Sequence, residues 1–305
     1  MNSPATTAVS DTDLAARWAS WGEDGPPGSL SSRLAPLHIC TVEDLTRLEA
    51  LAGELGDLLE RHHPAVAVGR FLGAADTHAD DCDRRAALRL FERLSQLAVD
   101  PLTWARLPHP DPHARRRPLT RLERALVRHC ALHSAGRTGV VGLIDSGATS
   151  GELGKLTAAS FTRGVSGLAE AVDLPGTCRH TRCGYPQARP RPAEIPRWAR
   201  PGVTTLVTAA GACPVLYSGR STDPAKVQSA LVMTVGAVLR DAGLAGDHTV
   251  APMSIRNTFG RAHYDTTGDL VATAEALGHD DLMTVAREIG IRPHPPTRKR
   301  SPKPA

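Results

Sequence analysis

The most informative pattern in the sequence is Val250-Ala-Pro-Met-Ser-Ile-Arg-Asn-Thr-Phe-Gly260, followed by Ala276-Leu-Gly-His-Asp-Asp-Leu-Met-Thr284. Its apolar spacing is helical, and aspartates and glycines mark where helices begin and end. It carries one arginine, Arg256, and one imidazole, His279, side chains whose N–H groups can hold a phosphate oxygen. The pattern predicts three successive helices, at Met253–Tyr264, Asp269–Leu277 and Asp281–Glu288.

Upstream of this stretch the chain mixes helices with a small sheet. The segment Leu143-Ile-Asp-Ser-Gly-Ala-Thr-Ser-Gly-Glu-Leu-Gly-Lys-Leu156 spans parts of two short predicted helices. Strand-like pieces at Gly164–Leu174 and Arg191–Arg197 predict an antiparallel sheet with a basic connecting loop at Gly176–Arg189. The remaining predicted helices of this half are Thr120–Ala135, Val140–Asp145, Gly151–Leu156 and Asp223–Ala242.

The first half of the chain has helical spacing throughout. Thr41-Val-Glu-Asp44 matches a capping box ahead of leucines at helical intervals, and His62-His63-Pro64 ends that helix. Further helices are predicted at Pro64–Ala75 and Asp81–Val99. The second of these carries arginines on a side away from its apolar face, which either contact DNA or form a solvated face: Arg84, Arg85 and Arg89. This half has no strand pattern and is therefore predicted to be all-α.

A proline-rich segment without apolar periodicity marks a domain boundary, at Leu107-Pro-His-Pro-Asp-Pro-His-Ala-Arg-Arg-Arg-Pro118. We predict a tail at residues 1–10, a helical domain at 11–107, a linker at 108–118, a mixed domain at 119–291 and a basic, proline-rich tail at 292–305. The fold class is α+β, mainly helical. On an extended linker, Arg115, Arg116 and Arg117 are either available to a phosphate backbone or simply solvated.

These motifs, in this order, resemble those of the tyrosine recombinase, or phage integrase, family. Residues 250–260 are similar to its Pro-His-x-Leu-Arg-His-Thr-Phe run. Residues 276–284 are similar to the Leu-Gly-His segment before the nucleophilic tyrosine, and residues 143–156 to the Gly-Leu-Arg-x-x-Glu-Leu box. The resemblance covers Asp11–Gly290. It implies an all-α core-binding (SAM-like) domain, followed by a recombinase catalytic-type domain with a small antiparallel sheet.

The resemblance also implies a chemistry, which most of the matching positions here cannot perform. In the family a tyrosine attacks a DNA phosphodiester while arginines and imidazoles stabilise the phosphate charge. Arg256 and His279 match two of those groups, but Thr149 stands at the first arginine, Met253 at a histidine and Glu288 at the tyrosine. Methionine is a poor hydrogen-bonding group, and a carboxylate repels phosphate. The predicted hairpin also has no lysine, so we expect strand cleavage to be absent.

Double-stranded DNA is the partner that the resemblance implies, and no cofactor is expected. The net charge is only +4. Just four of the 36 basic residues are lysine, so arginine supplies most of the positive charge. A coding bias towards arginine explains this excess as well as DNA binding does. Arg256 is either a phosphate clamp or an arginine paired with a carboxylate, and His279 is either a ligand or a helix cap. The candidate DNA contacts are Arg256, His279, Arg179, Arg182, Arg115, Arg116, Arg117, Arg85 and Arg89.

The six cysteines are scattered, and no secretory leader is visible, so free thiols in a cytoplasmic protein are expected. Cys178, His180 and Cys183 supply three of the four ligands that a structural zinc site requires, and no metal site is predicted. No apolar run approaches the roughly 20 residues of a membrane span. The short stretch after Glu288 predicts a monomer in solution.

Three functions remain open at this point. The leading one is a DNA-binding protein that does not cleave DNA and that regulates or assists recombination, with an active recombinase or another protein as a candidate partner. The second is an active integrase that uses an atypical nucleophile, such as Tyr264, or a tyrosine supplied by a partner. The third is a protein-interaction scaffold without DNA binding.

Overall fold

The computed structural model describes residues 33–95, 116–177, 188–210, 214–217, 219, 221 and 223–291. Within these residues the chain is mainly helical, with one three-stranded antiparallel sheet. The predicted α+β fold class with dominant helices is therefore confirmed. The two predicted tails lie outside the described residues.

Residues 33–95 of the first half contain three α-helices, α1 (Val42–Arg61), α2 (Pro64–Gly73) and α3 (His78–Ser95). The predicted capping box is present: the Thr41 hydroxyl accepts from the Asp44 amide, and the Asp44 carboxylate accepts from the Thr41 amide at 2.8 Å. Phe71 and Phe91 are fully buried between the helices. The all-α prediction is confirmed for residues 33–95.

The second half adds eight helices and three strands in the described residues. The helix predicted at Gly151–Leu156 is shorter than expected and begins at the residue that Thr149 caps. These elements are α4 (Arg121–Ala131), α5 (Ala135–Ile144), α6 (Ser150–Leu153), β1 (Phe161–Arg163), β2 (Ala169–Leu174), β3 (Arg191–Glu194), α7 (Arg200–Ala209), α8 (Pro224–Asp241), α9 (Pro252–Thr267), α10 (Leu270–Leu277) and α11 (Leu282–Glu288).

The sequence analysis predicts no helix between the strand-like piece at Arg191–Arg197 and Asp223, but the structure has helix α7 there. Its Val-Thr-Thr-Leu-Val-Thr run favours a strand by intrinsic propensity. The run instead packs against α5, where small residues allow close approach. A Cβ atom on Gly142 would lie 2.3 Å from the Ala199 Cβ, and one on Gly202 would lie 2.7 Å from Thr138. Tertiary packing therefore overrides the local preference.

The sheet has the order β1-β2-β3, with both pairings antiparallel. Val172 is the partner of Phe161 on one side and of Ala193 on the other. Beyond the sheet, Thr177 and Ala188 still exchange backbone hydrogen bonds, so the loop between β2 and β3 leaves from a paired base. Residues 178–187 of that loop lie outside the described residues.

The two halves share one continuous apolar core. Helix α3 packs against α4, and the Arg128 guanidinium donates to the Ile39 carbonyl at 2.9 Å. A smaller apolar cluster lies between α9, α10 and α11 and contains Leu277, Val285 and Ile289. This second cluster supports the segment that carries the candidate site.

Candidate functional site

Arg256 lies inside the molecule and not on a helix surface. Its residue is 0% exposed, and its guanidinium donates through Nε to the Gly147 carbonyl at 3.0 Å and through Nη2 to the Leu277 carbonyl at 2.6 Å. Its Nη1 lies 3.1 Å from Nε2 of His279. Arg256 therefore joins the loop before α6, the end of α10 and the start of the next turn.

His279 is placed by the end of helix α10. Gly278 adopts φ 72°, a left-handed conformation that glycine tolerates, and the His279 amide donates to the Ala274 carbonyl at 2.8 Å. The His279 side chain is 5% exposed, and its Nε2 faces both Arg256 and Glu288. A single ring nitrogen either accepts from the arginine or donates to the carboxylate, and cannot do both at once.

Glu288, at the position that the resemblance assigns to the nucleophile, points into the same cluster. Its Oε2 lies 3.3 Å from His279 Nε2 and 3.6 Å from Arg256 Nη1, which are looser contacts than a well-formed charged hydrogen bond. Although burial opposes the charged form, hydrogen bonding to His279 and the charge of Arg256 hold the Glu288 pKa below its usual range. Glu288 is therefore an anion that neutralises Arg256.

Arg191, which the motif comparison did not single out, provides a second buried guanidinium beside Arg256. From β3 it pairs with Glu152 at 2.7 Å, where the two side chains are 7% and 0% exposed, and it donates to the Ala276 carbonyl at 2.9 Å. Its Nη2 also donates to Gly147 O at 2.7 Å, the same oxygen that Arg256 contacts. Thr149 cannot make these contacts, and it caps α6 instead.

The guanidinium groups of Arg191 and Arg256 are two like charges buried side by side, and they repel each other. Burial, together with the positive charge of Arg191, lowers the pKa of Arg256 to about 10, although Glu288 and Glu152 act in the opposite direction. Arg256 therefore remains protonated at neutral pH. Two buried cations and two carboxylates balance each other, which is the arrangement that buried ionic groups need.

The last residues of the linker close over this region. Asn257 donates from its side chain to the Arg116 carbonyl at 2.8 Å, and Arg116 adopts φ 64°, in the left-handed region. Arg116 is exposed, and its charge contributes to lowering the pKa of Glu288. Arg117 was expected to lie free on the linker, but it pairs with Glu123 at 2.7 Å and with Asp247 at 2.8 Å. Its guanidinium is thus already satisfied within the protein.

The arginines of α3 are also engaged internally. Arg84 is buried and pairs with Glu54 and Asp80, so the expectation of a solvated or DNA-facing side chain is wrong for it. Arg85 pairs with Asp81 at 2.6 Å, and the Arg89 guanidinium packs against Gly243 of the second half. Because these contacts lie within the protein, the arginines of α3 have structural roles that do not require DNA.

Several predicted site residues have other locations. Met253 is half-buried in the first turn of α9, and Tyr264 packs against the smaller apolar cluster from the same helix. Three arginines that were predicted to contact DNA lie outside the described residues, and so do the three side chains considered as zinc ligands: Arg115, Arg179 and Arg182, and Cys178, His180 and Cys183. In the described part of the chain no group of three metal-ligating side chains comes together, and no helix has the length and apolar character to cross a bilayer.

The central arginine of the cluster is closed off from solvent, and the exposed edge of the cluster is a carboxylate. An incoming phosphate would have to displace Glu288 before it reached Arg256. What the arrangement does is hold α6, β3, α9, α10 and α11 together.

No protein-family model and no curated protein matches the sequence. Among solved structures, the chain is similar to a XerA recombinase, with 14% identity, a TM-score of 0.46 and coverage of 93% of this chain and 94% of that one. It is similar to a XerH site-specific recombinase in a post-cleavage complex with its palindromic difH substrate (13%, TM-score 0.45, 79% and 85% covered). It is also similar to a lambda integrase dimer bound to a COC' core site (13%, TM-score 0.38, 96% and 97% covered). These identities and TM-scores are too low to carry a function from those proteins to this chain.

Proposed function

We propose that the protein is a duplex-DNA-binding member of the tyrosine recombinase family that does not cleave DNA. One observation supports this most directly. The position expected for the nucleophile holds Glu288, whose carboxylate lies against the two motif residues that remain, Arg256 and His279. The order of the motifs supports membership of the tyrosine recombinase family. The contact of Glu288 with Arg256 and His279 supports the loss of cleavage.

The loss of cleavage follows from the chemistry of the cluster. A carboxylate in place of a tyrosine repels the phosphate, and an acyl phosphate formed by it would be labile. Each missing transition-state donor costs roughly 3–4 kcal/mol of barrier. Thr149 stands at the position that the resemblance assigns to the first arginine, and the guanidinium of Arg191 is engaged with Glu152 and with carbonyl groups.

The DNA contacts of this proposal are basic residues of the linker and of the loop between β2 and β3. Arg116 is exposed at the end of the linker, and the predicted contacts Arg115, Arg179 and Arg182 lie outside the described residues. Cationic side chains that neutralise phosphates release counterions, so binding must weaken with salt. A cytoplasmic location, a monomeric state in solution and a role beside an active recombinase remain parts of this proposal.

Sheared genomic DNA, titrated with the purified protein at increasing salt, tests the binding half of the proposal. We expect affinity that falls steeply with salt, and recovery of discrete sites when the captured fragments are sequenced. The Arg116→Glu variant should bind DNA less tightly than the wild type does. The control Arg61→Glu, which changes the last residue of α1, should bind like the wild type. If the protein has no salt-dependent affinity for DNA, the proposal is wrong.

A protein-interaction scaffold is the second candidate function. The internal pairing of Arg84, Arg85 and Arg117 favours it, because these arginines are then structural and not DNA contacts. In that case the Arg116→Glu substitution would leave the biological function unchanged, and copurifying proteins would be recovered in place of DNA.

A further inference from the structure

Helix α4 of the second half is attached to the first half near both of its ends. At its start the Leu122 amide donates to the Asp83 carboxylate of α3 at 3.4 Å, and near its end the Arg128 guanidinium donates to the Ile39 carbonyl at 2.9 Å. Asp83 and Ile39 both belong to the first half. The surface along which the two halves meet, which we call the junction, therefore has polar contacts at two separate places.

Apolar side chains fill the junction between α3 and α4. These helices pack against each other, and Leu90 and Phe91 of α3 and Leu122 and Leu126 of α4 are at most 1% exposed. All four belong to one buried apolar cluster. Separating the halves would expose this surface to water, which the hydrophobic effect opposes.

A third contact lies at the end of helix α8. The Arg93 guanidinium of α3 donates to the carbonyl of Asp241, the last residue of α8, and the Arg89 guanidinium packs against Gly243 just beyond it. Cations are favourable at a helix C-terminus, because the last carbonyl groups carry partial negative charge. Because the first half is attached at three places, opening about any one of them breaks the contacts at the other two.

Domains that meet through a small polar interface usually move relative to each other, whereas a large apolar interface holds them in place. We propose that the two halves stay docked as one body that does not open to enclose a duplex, so that DNA binds on a single outer face. The docking rests on the contacts across the junction alone, and only the choice of DNA as the ligand rests on the proposed function. Arg116, exposed at the end of the linker, then meets DNA without any opening, whereas Arg89 and Arg93 remain at the end of α8.

Thiol labelling in the absence of DNA tests the docking. Cys82 of α3 is buried, and its Sγ lies 3.6 Å from Nη2 of Arg117, which ion pairs with Glu123 and Asp247 hold in the second half. A thiol reagent therefore reaches Cys82 when the halves separate or when the whole protein unfolds. Val141→Cys places the control thiol on a fully buried residue of α5, within the second half.

Peptide mass spectrometry assigns each labelled cysteine and gives its rate in native buffer relative to its rate in concentrated urea. We expect the relative rates of Cys82 and of the control thiol to agree within about threefold, because both become accessible through global unfolding. A larger excess for Cys82 would show that the halves separate without unfolding, and it would overturn the proposal.

A crosslink across the junction tests the DNA-binding face. Glu43 and Arg121 form an ion pair between the halves, and their side chains are 73% and 68% exposed, so the pair contributes little to stability. Both residues are replaced by cysteine and joined by a short bismaleimide, and Glu43→Cys treated with the same reagent is the matched control. The crosslinked protein should bind its captured DNA fragments with a dissociation constant within about threefold of the control.

If DNA binding required an open state, the crosslink would remove that state and the dissociation constant would rise by more than this, which would overturn the proposal. If the control binds no DNA either, the proposed function fails, and the labelling of Cys82 still decides whether the halves separate.

Discussion

At the scale of single residues, Glu288 sets the pH dependence of the cluster. Because its pKa is lowered in the folded protein, the folded state binds fewer protons than the unfolded state does, and the ionised carboxylate contributes stability. That contribution is fully present above the unfolded pKa of about 4.3 and is lost as the pH falls through the lower folded value. We therefore expect the difference in unfolding free energy between the wild type and Glu288→Gln to shrink as the pH falls from 6 to 3. Urea titrations between pH 6 and pH 3 measure this difference in unfolding free energy. A difference that does not change with pH would contradict the prediction.

Arg191 makes a second prediction at this scale. Arg191→Ala leaves Glu152 buried without its cation, which typically costs about 3–5 kcal/mol of unfolding free energy. Arg200→Ala is the matched control, because its partners Glu170 and Glu194 are 39% and 80% exposed, and exposed pairs contribute about 0–1 kcal/mol each. Urea unfolding of both variants distinguishes them. Equal losses would show that the Arg191–Glu152 pair is not the buried support described above.

Part of this residue-level arrangement could be expected from the sequence. The motif order assigns Arg256, His279 and Glu288 to site positions of the family, and the structure brings the three together because the helices that carry or flank them pack against one another. The motif order could not reveal Arg191, which pairs with a glutamate 39 residues earlier in the chain. An ion pair between a strand and a distant short helix leaves no periodic signal in the sequence.

At the scale of secondary-structure elements, the contact between α5 and α7 depends on glycine. Gly142→Ala places a Cβ 2.3 Å from the Cβ of Ala199, and since both atoms are attached to backbone, the helices must move apart. We expect a loss of about 1–3 kcal/mol. Gly69→Ala in α2 meets nothing within 4 Å and should be stabilising by about 0.5–1 kcal/mol. Thermal or urea unfolding gives both values, and a Gly142→Ala variant as stable as Gly69→Ala would refute the close packing.

Most elements could be predicted because their ends carry local signals. Thr41 with Asp44 and Thr120 with Glu123 form capping boxes, and Pro224 begins α8 after Asp223. Helix α7 has no such N-cap hydrogen bond, and its residues prefer a strand when considered alone. Its helical state comes from packing against α5, and a single sequence does not display that contact.

At the scale of the whole molecule, the two halves should unfold together. The apolar core runs from α1–α3 into α4 and α8, and buried ion pairs such as Arg117–Glu123 lie where the halves meet. Circular dichroism and tryptophan fluorescence should therefore report one coincident transition despite the proline-rich boundary. Two separate transitions would show that the domains predicted at 11–107 and 119–291 are independent folding units.

The measurement that tests the central claim most directly is a search for a covalent protein–DNA adduct. The protein is incubated with the DNA fragments that it captures, and the mixture is denatured in detergent before electrophoresis. We predict bound DNA under native conditions and no adduct after denaturation, because Glu288 stands at the position that the resemblance assigns to the nucleophile. An adduct that survives detergent, and that is lost in Tyr264→Phe, would contradict the account and identify an active recombinase with a relocated nucleophile.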